Sequence, residues 1–144
     1  MVPEVVMPDT KTILLVEDED LLVILQTGWL ERLGFNVITV SSGEKAIEVT
    51  QTTPGIDLIL MDINLGHGMD GTEAASIILK DHDIPIVFLT AHMGEEIVEK
   101  TEKIAHYGYV IKDGDMTILG ASLKTAMKLR EAHRVLKGEK GSDA

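Results

Sequence analysis

The residues of this chain best suited to chemistry are acids, a hydroxyl and an amine, each at the end of a short aliphatic run. Glu17, Asp18 and Glu19 follow residues 11–16, Asp62 follows 56–61, Thr90 closes 84–90, and Lys112 follows 107–111. Carboxylates that converge repel one another, so such a cluster calls for a cation. Hard oxygen ligands with room for water favour Mg2+, with Mn2+ as the second choice, over zinc. A divalent ion beside a carboxylate also screens the charge of an incoming phosphoryl group. A lysine on the far side neutralises the remaining phosphoryl oxygens, and a hydroxyl hydrogen-bonds one. The set suits a carboxylate nucleophile that takes up a phosphoryl group. Each piece alone has a plainer reading. Acids after a strand suit a helix N-terminus, a lone Asp caps a helix, Thr favours strands, and Lys is a solvated charge. The functional reading rests on their joint occurrence, each at a strand end.

That reading requires the elements to bring these ends to one rim. Residues 11–16, 35–40, 56–61, 84–90 and 107–111 read as strands, most of them apolar enough to be buried on both faces. Apolar residues at Leu21, Leu22, Ile24, Leu25, Trp29, Leu30 and Leu33 recur at helical spacing and predict a helix over 20–33, with Trp29 on its core side and Gly34 as the stop. Ser41 with Glu44 predicts a capping box that opens a helix to about residue 52. Asp70 with Glu73 predicts another, leading a helix through about residue 80. Further helices are expected over 95–105 and from a cap at Asp115 to about residue 137. The last is roughly 33 Å long at about 1.5 Å per residue, so its end, 131–137, is expected to project into solvent or join a partner helix. Five strands interleaved with five helices predict an α/β fold, an open, parallel, doubly wound sheet with right-handed crossovers. Sites in such sheets form outside the carboxyl ends of the strands, where the acids, hydroxyl and amine fall.

A chain of 144 residues suits one domain, here 11–137, with an N-terminal extension over 1–10 and a polar tail over 138–144. The absence of cysteine excludes disulfides, thiolate metal sites and cysteine nucleophiles. Against 13 Lys+Arg stand 24 Asp+Glu, a formal charge of -11 that repels nucleic acid and anionic membrane surfaces alike, so neither is an expected partner. No apolar run approaches a membrane span of about 20 residues, and the N-terminus lacks a signal pattern. A soluble, cytoplasmic protein is expected. The histidines show no ligand spacing and are expected at the surface. His67 falls in the acceptor loop and His92 two residues past Thr90, positions from which either could tune phosphoryl access or dephosphorylation.

Five pieces in order, Ile-Leu-Leu-Val-Glu-Asp-Glu (13–19), Asp-Leu-Ile-Leu-Met-Asp (57–62), Met-Asp-Gly (69–71), Pro-Ile-Val-Phe-Leu-Thr-Ala (85–91) and Gly-Tyr-Val-Ile-Lys (108–112), resemble the receiver domain of two-component response regulators. The resemblance covers about residues 11–130. It implies a flavodoxin-like, five-stranded parallel sheet in order 2-1-3-4-5. It implies Asp62 as phosphoacceptor, Asp18 as direct Mg2+ ligand, Glu17 acting mainly through water, and the Asn64 backbone carbonyl completing the metal shell. Thr90 matches the switch hydroxyl, Lys112 the phosphate-pairing lysine and Tyr109 the aromatic switch residue. The implied partners are a sensor histidine kinase or phosphotransfer protein, then an effector or a second copy through the face of helix four, strand five and helix five. The implied role is that of a switch whose only reactions are self-phosphorylation from small donors and self-dephosphorylation.

Three positions depart from the family pattern. Glu17 stands where Asp is commoner. The loop after Asp62 is one residue longer, with Gly66 in place of proline, and is expected to be more flexible. Asp113 replaces a proline with a cis bond. A cis bond costs about 3–4 kcal/mol without proline, so a trans bond is expected, which displaces Lys112 and weakens phosphoryl binding. These departures motivate an alternative, a degenerate receiver that binds partners without phosphorylation. An aspartate-nucleophile phosphatase is disfavoured, because such enzymes carry a second Asp where this chain has Asn64 and usually a cap domain. The chain is expected to be a stand-alone receiver or the receiver portion of a larger sensor or regulator, with no output domain after the last helix.

Overall fold

The aliphatic runs form five parallel strands, β1 (Thr12–Val16), β2 (Asn36–Val40), β3 (Leu58–Asp62), β4 (Ile86–Thr90) and β5 (Gly108–Ile111), in the order β2-β1-β3-β4-β5. The structure is a computed structural model that describes residues 10–66, 68–90, 99, 101–102, 108–111 and 116–136. Four helices are described: α1 (Asp20–Arg32), α2 (Gly43–Thr52), α3 (Gly71–Asp81) and α4 (Met116–Leu136). Glu99 and Thr101 have helical backbone, while the rest of the helix expected over 95–105 lies outside the described residues, as does the cap expected at Asp115.

Side chains alternate across the sheet, so β1, β3 and β4 each supply both layers. Leu14, Val16, Ile59, Met61, Ile86 and Phe88 pack with Ala46 of α2 and Ala74, Ala75 and Ile78 of α3. Ile13, Leu15, Leu58, Leu60, Val87 and Leu89 pack with Leu30 of α1 and Leu119, Leu123 and Ala126 of α4. Burial on both faces explains why these strands read as continuous apolar runs. The Arg130 guanidinium donates to the Asp83 carbonyl and lies 3.8 Å from the Asp83 carboxylate, tying α4 to the α3–β4 connection. Beyond that tie Val135 and Leu136 are exposed, so the end of α4 reaches solvent as expected.

One cap differs from the expected one. Ser42, not Ser41, caps α2, its hydroxyl accepting the Lys45 N–H at 3.1 Å. The helix therefore starts one residue later, and Glu44 sits too early in the first turn to reach back to the cap. The second capping box forms as expected: the Asp70 carboxylate accepts the Thr72 and Glu73 N–H groups, and Glu73 accepts the Asp70 N–H at 3.2 Å.

Helix α1 forms where the spacing predicts it, but several of its apolar residues face outward. Leu21, Ile24 and Leu25 are 65%, 68% and 56% exposed, whereas Gln26 and Leu30 are buried. Seven apolar positions cover too wide an arc to choose one buried face. The rotation of the helix is a single variable, and Leu30, with Trp29 packed beside it, settles it for every other position. The inward stripe therefore includes Gln26 and Thr27, whose Oε1 and Oγ1 atoms are buried without hydrogen-bond partners. A buried unpaired oxygen costs about 1–3 kcal/mol. Gln26→Leu, of similar size, is accordingly expected to stabilise the fold by about 1 kcal/mol or more, read as a higher urea midpoint at unchanged m-value. An unchanged or lower midpoint would show that the Gln26 oxygen costs nothing.

Candidate functional site

The site builds from register. Val16 of β1 lies opposite Met61 of β3, so Glu17, the next residue, arrives beside Asp62. These strands flank the point where strand order reverses, which opens a crevice above their carboxyl ends. Leu89 pairs with Asp62, and the Ile63 N–H donates to the Leu89 carbonyl at 3.1 Å, which sets Thr90 one step further along the same rim. Thr90 in turn pairs with Ile111, the last residue of β5. Parallel strands in register thus deliver Glu17, Asp62 and Thr90 to one edge. Lys112 follows β5 but lies outside the described residues, as do Asp113, His67 and His92. Tyr109 lies in β5, its backbone opposite Phe88.

Three carboxylates meet on this rim. One ligand oxygen from each of Glu17, Asp18 and Asp62 lies within 4.8 Å of the other two. Two unit charges that close repel by about 3 kcal/mol at an effective dielectric constant of about 20. Such a set of hard oxygen donors fits a divalent cation of the Mg2+ or Mn2+ type. Local backbone donors orient the two inner acids. The Asn64 N–H donates to Asp62 Oδ1 at 3.1 Å, and the Glu19 N–H donates to Glu17 Oε2 at 3.2 Å. Asn64 itself is exposed, two residues beyond Asp62.

Depth separates these acids. Glu17 is fully buried and Asp62 is only 1% exposed, while Asp18 is exposed at the mouth. Thr90 is 1% exposed. Sequence periodicity places Asp62 at a strand end but says nothing of how far its neighbours rise around it.

The N-terminus of α3 abuts the same point. The Gly71 N–H donates to the Ile63 carbonyl at 2.9 Å, and a Cβ at Gly71 would lie 2.0 Å from the Asp62 carbonyl oxygen. Two contacts of the β3–α3 loop escaped the sequence reading. Gly66, at φ +72°, approaches so closely that a Cβ there would lie 2.8 Å from Asp18 Oδ2. Glu44 of α2 reaches the same loop, its Oε2 accepting the Met69 N–H at 3.3 Å. The two glycines of the loop were the available signal for a close approach, but what they approach was not visible in one dimension.

Known proteins share this fold and much of its sequence pattern. The sequence profile of the response regulator receiver domain matches residues 13–124. A cyclic di-GMP phosphodiesterase of Thermotoga maritima is 32% identical over 123 residues, 85% of this chain and 32% of that protein. The transcriptional regulatory protein YvrH of Bacillus subtilis is 31% identical over 121 residues, 83% of this chain and 50% of that protein. The chain thus spans a third to a half of the length of these two curated relatives. Among solved structures, the N-terminal domain of a response regulator/sensory box/GGDEF three-domain protein from Carboxydothermus hydrogenoformans superposes with a TM-score of 0.80 at 39% identity, covering 85% of this chain and 98% of that one.

The chain belongs to the response regulator receiver domain family. Its sheet is the flavodoxin-like arrangement that the five motifs imply. The phosphodiesterase named in one relative belongs to a protein about two thirds of which lies beyond the match. Among the described residues no helix is long and apolar enough to cross a membrane.

Proposed function

We propose that this chain is a phosphorelay receiver, spanning residues 11–137, that accepts a phosphoryl group on Asp62 and passes the signal on by a change of surface. The supporting observation is the convergence of Glu17, Asp18 and Asp62, with ligand oxygens within 4.8 Å of one another, on a rim that also carries Thr90. Asp62 is the nucleophile. One of its carboxylate oxygens bonds to phosphorus while the P–N bond of a donor phosphohistidine breaks and its electron pair returns to the imidazole nitrogen. The products are an aspartyl phosphate and a free histidine. The Asn64 N–H holds Asp62 Oδ1 in place for this attack. Glu17, Asp18, Asp62 and the Asn64 carbonyl are the groups that would hold Mg2+. Bound there, the ion offsets the mutual repulsion of the carboxylates and the charge of the phosphoryl oxygens. Lys112 pairs with the phosphoryl group from the other side, and Thr90 and Tyr109 are the switch residues. Signalling partners of this kind place the chain in the cytoplasm.

The test is incubation with acetyl phosphate or phosphoramidate plus Mg2+, followed by intact mass. A single phosphoryl adduct is expected. A receiver acting without phosphorylation is the competing reading, favoured by the 1% exposure of Asp62, and the absence of any adduct would establish it.

The exposed apolar stripe of α1 suits the donor. Leu21, Ile24 and Leu25 are exposed in the N-terminal half of α1, which begins two residues after Asp18, so a protein delivering phosphohistidine to Asp62 would cover them. Ile24→Asp is expected to slow transfer from a phosphorylated histidine phosphotransfer domain by about tenfold or more, the scale of a central interface contact. Uptake from acetyl phosphate should stay unchanged. Equal slowing with both donors would place the effect in the site rather than in docking.

A further inference from the structure

The loop between β3 and α3 is held at two places. At one, the Met69 N–H donates to Glu44 Oε2 at 3.3 Å, and the Gly68 backbone (φ +80°) packs so closely on the same carboxylate that a Cβ would lie 2.9 Å from Oε2. At the other, the Gly66 backbone (φ +72°) closes on Asp18 to the distance at which a Cβ would meet Oδ2 at 2.8 Å. Both glycines take the left-handed region that favours glycine. Glu44 stands 25 residues from Met69 in sequence and belongs to α2, whose Gly43 would bring a Cβ to 3.0 Å from Ala74 Cβ of α3. The anchor is therefore seated on a packed pair of helices, whereas Asp18 is an exposed side chain in the short connection between β1 and α1.

We propose that Glu44 is a positioning residue for Asp18: by gripping the loop at Met69 it holds the Gly66 backbone against the Asp18 carboxylate, restricts the rotamers open to that side chain, and so strengthens its binding of a divalent cation. The proposal rests on the reading of Asp18 as a cation ligand. An exposed aspartate loses side-chain freedom when it ligates, and a wall that has already removed some of that freedom lowers the cost. Groups that orient metal ligands by a direct hydrogen bond change affinity about 10–100-fold when removed, and one acting through a backbone segment should act more weakly.

The experiment is a calorimetric titration of the full chain with Mg2+, in the absence of any phosphodonor. Glu44→Ala is expected to weaken Mg2+ binding about three- to tenfold. Glu44→Gln keeps an oxygen that accepts the Met69 N–H but removes the charge, and is expected to bind like the unsubstituted protein. If Glu44→Gln is as weak as Glu44→Ala, the effect is one of charge and the positioning role is overturned. If Glu44→Ala binds as tightly as the unsubstituted protein, the positioning role is overturned while the cation site stands. If the unsubstituted protein binds no Mg2+, both fall together. Gly66→Ala supplies a second arm that leaves Glu44 intact. Its methyl group pushes Asp18 Oδ2 aside, so weaker Mg2+ binding is expected; unchanged binding would show that the loop does not set the Asp18 carboxylate and would overturn the proposal.

Discussion

Asp62→Asn is expected to take up no phosphoryl group from acetyl phosphate under conditions that give the unsubstituted protein a single adduct by intact mass. The amide is isosteric and keeps an oxygen for the Asn64 N–H, so the contact at 3.1 Å survives. What disappears is the carboxylate proposed as the nucleophile, and an amide cannot replace it in an attack on phosphorus. The same change removes one of three negative charges held within 4.8 Å of one another. Without Mg2+ the variant should therefore be more stable than the parent by about 1 kcal/mol or more, since each close pair repels by about 3 kcal/mol at an effective dielectric constant of about 20 before relaxation. The two outcomes together are diagnostic. Loss of the adduct with a drop in stability would point to a damaged fold, and a persistent adduct would move the phosphoacceptor elsewhere.

Gly71→Ala is expected to destabilise the fold by more than about 3 kcal/mol, beyond the usual range for an overpacked core. The added Cβ would lie 2.0 Å from the Asp62 carbonyl oxygen, 2.9 Å from its carbonyl carbon and 3.0 Å from Ile63 Cα. All three are backbone atoms at the strand end that carries Asp62, so no side chain can turn away to make room. The N-terminus of α3 must lift, which breaks the Gly71 N–H bond to Ile63 and loosens the loop that starts at Asp62. The urea midpoint measures the first effect, and the rate of phosphoryl uptake is expected to fall with it. Gly28→Ala is the control. Nothing lies within 4 Å of a Cβ there, in the interior of α1, and the change should stabilise by about 0.5–1 kcal/mol. A Gly71→Ala midpoint near that of the parent would mean that α3 is not seated on the strand end.

Much of the fold was legible because the sheet is buried on both faces. A strand covered by helices on two sides has no polar face, so residues 13–16 and 58–61 announce themselves as apolar runs. The box at Asp70 and Glu73 was legible for a similar reason: its partners lie three residues apart. The neighbouring Ser41 and Glu44 met the same spacing rule and failed it. Two adjacent serines offer the same hydroxyl, and only the observed bond to Lys45 shows that Ser42 is the cap. The acids of the site were legible as residues at strand ends, and the resemblance carried by five motifs added which strand lies beside which.

The sequence by itself determined where the described elements lie to within a residue or two, that the central strands are covered on both faces, and that acids and a hydroxyl follow them. These are consequences of local periodicity and short-range hydrogen bonding, which a one-dimensional pattern contains. The tertiary structure alone decided three things: that Leu30 rotates Leu21, Ile24 and Leu25 of α1 outward and Gln26 inward, that Asp62 lies deep while Asp18 stands at the mouth, and that Glu44 reaches across to the loop of Met69. Each is set by packing between segments far apart in the chain. The orientation of a helix about its axis, the depth of a side chain and the partner of a distant carboxylate depend on the sum of all neighbours, which no single window of residues contains.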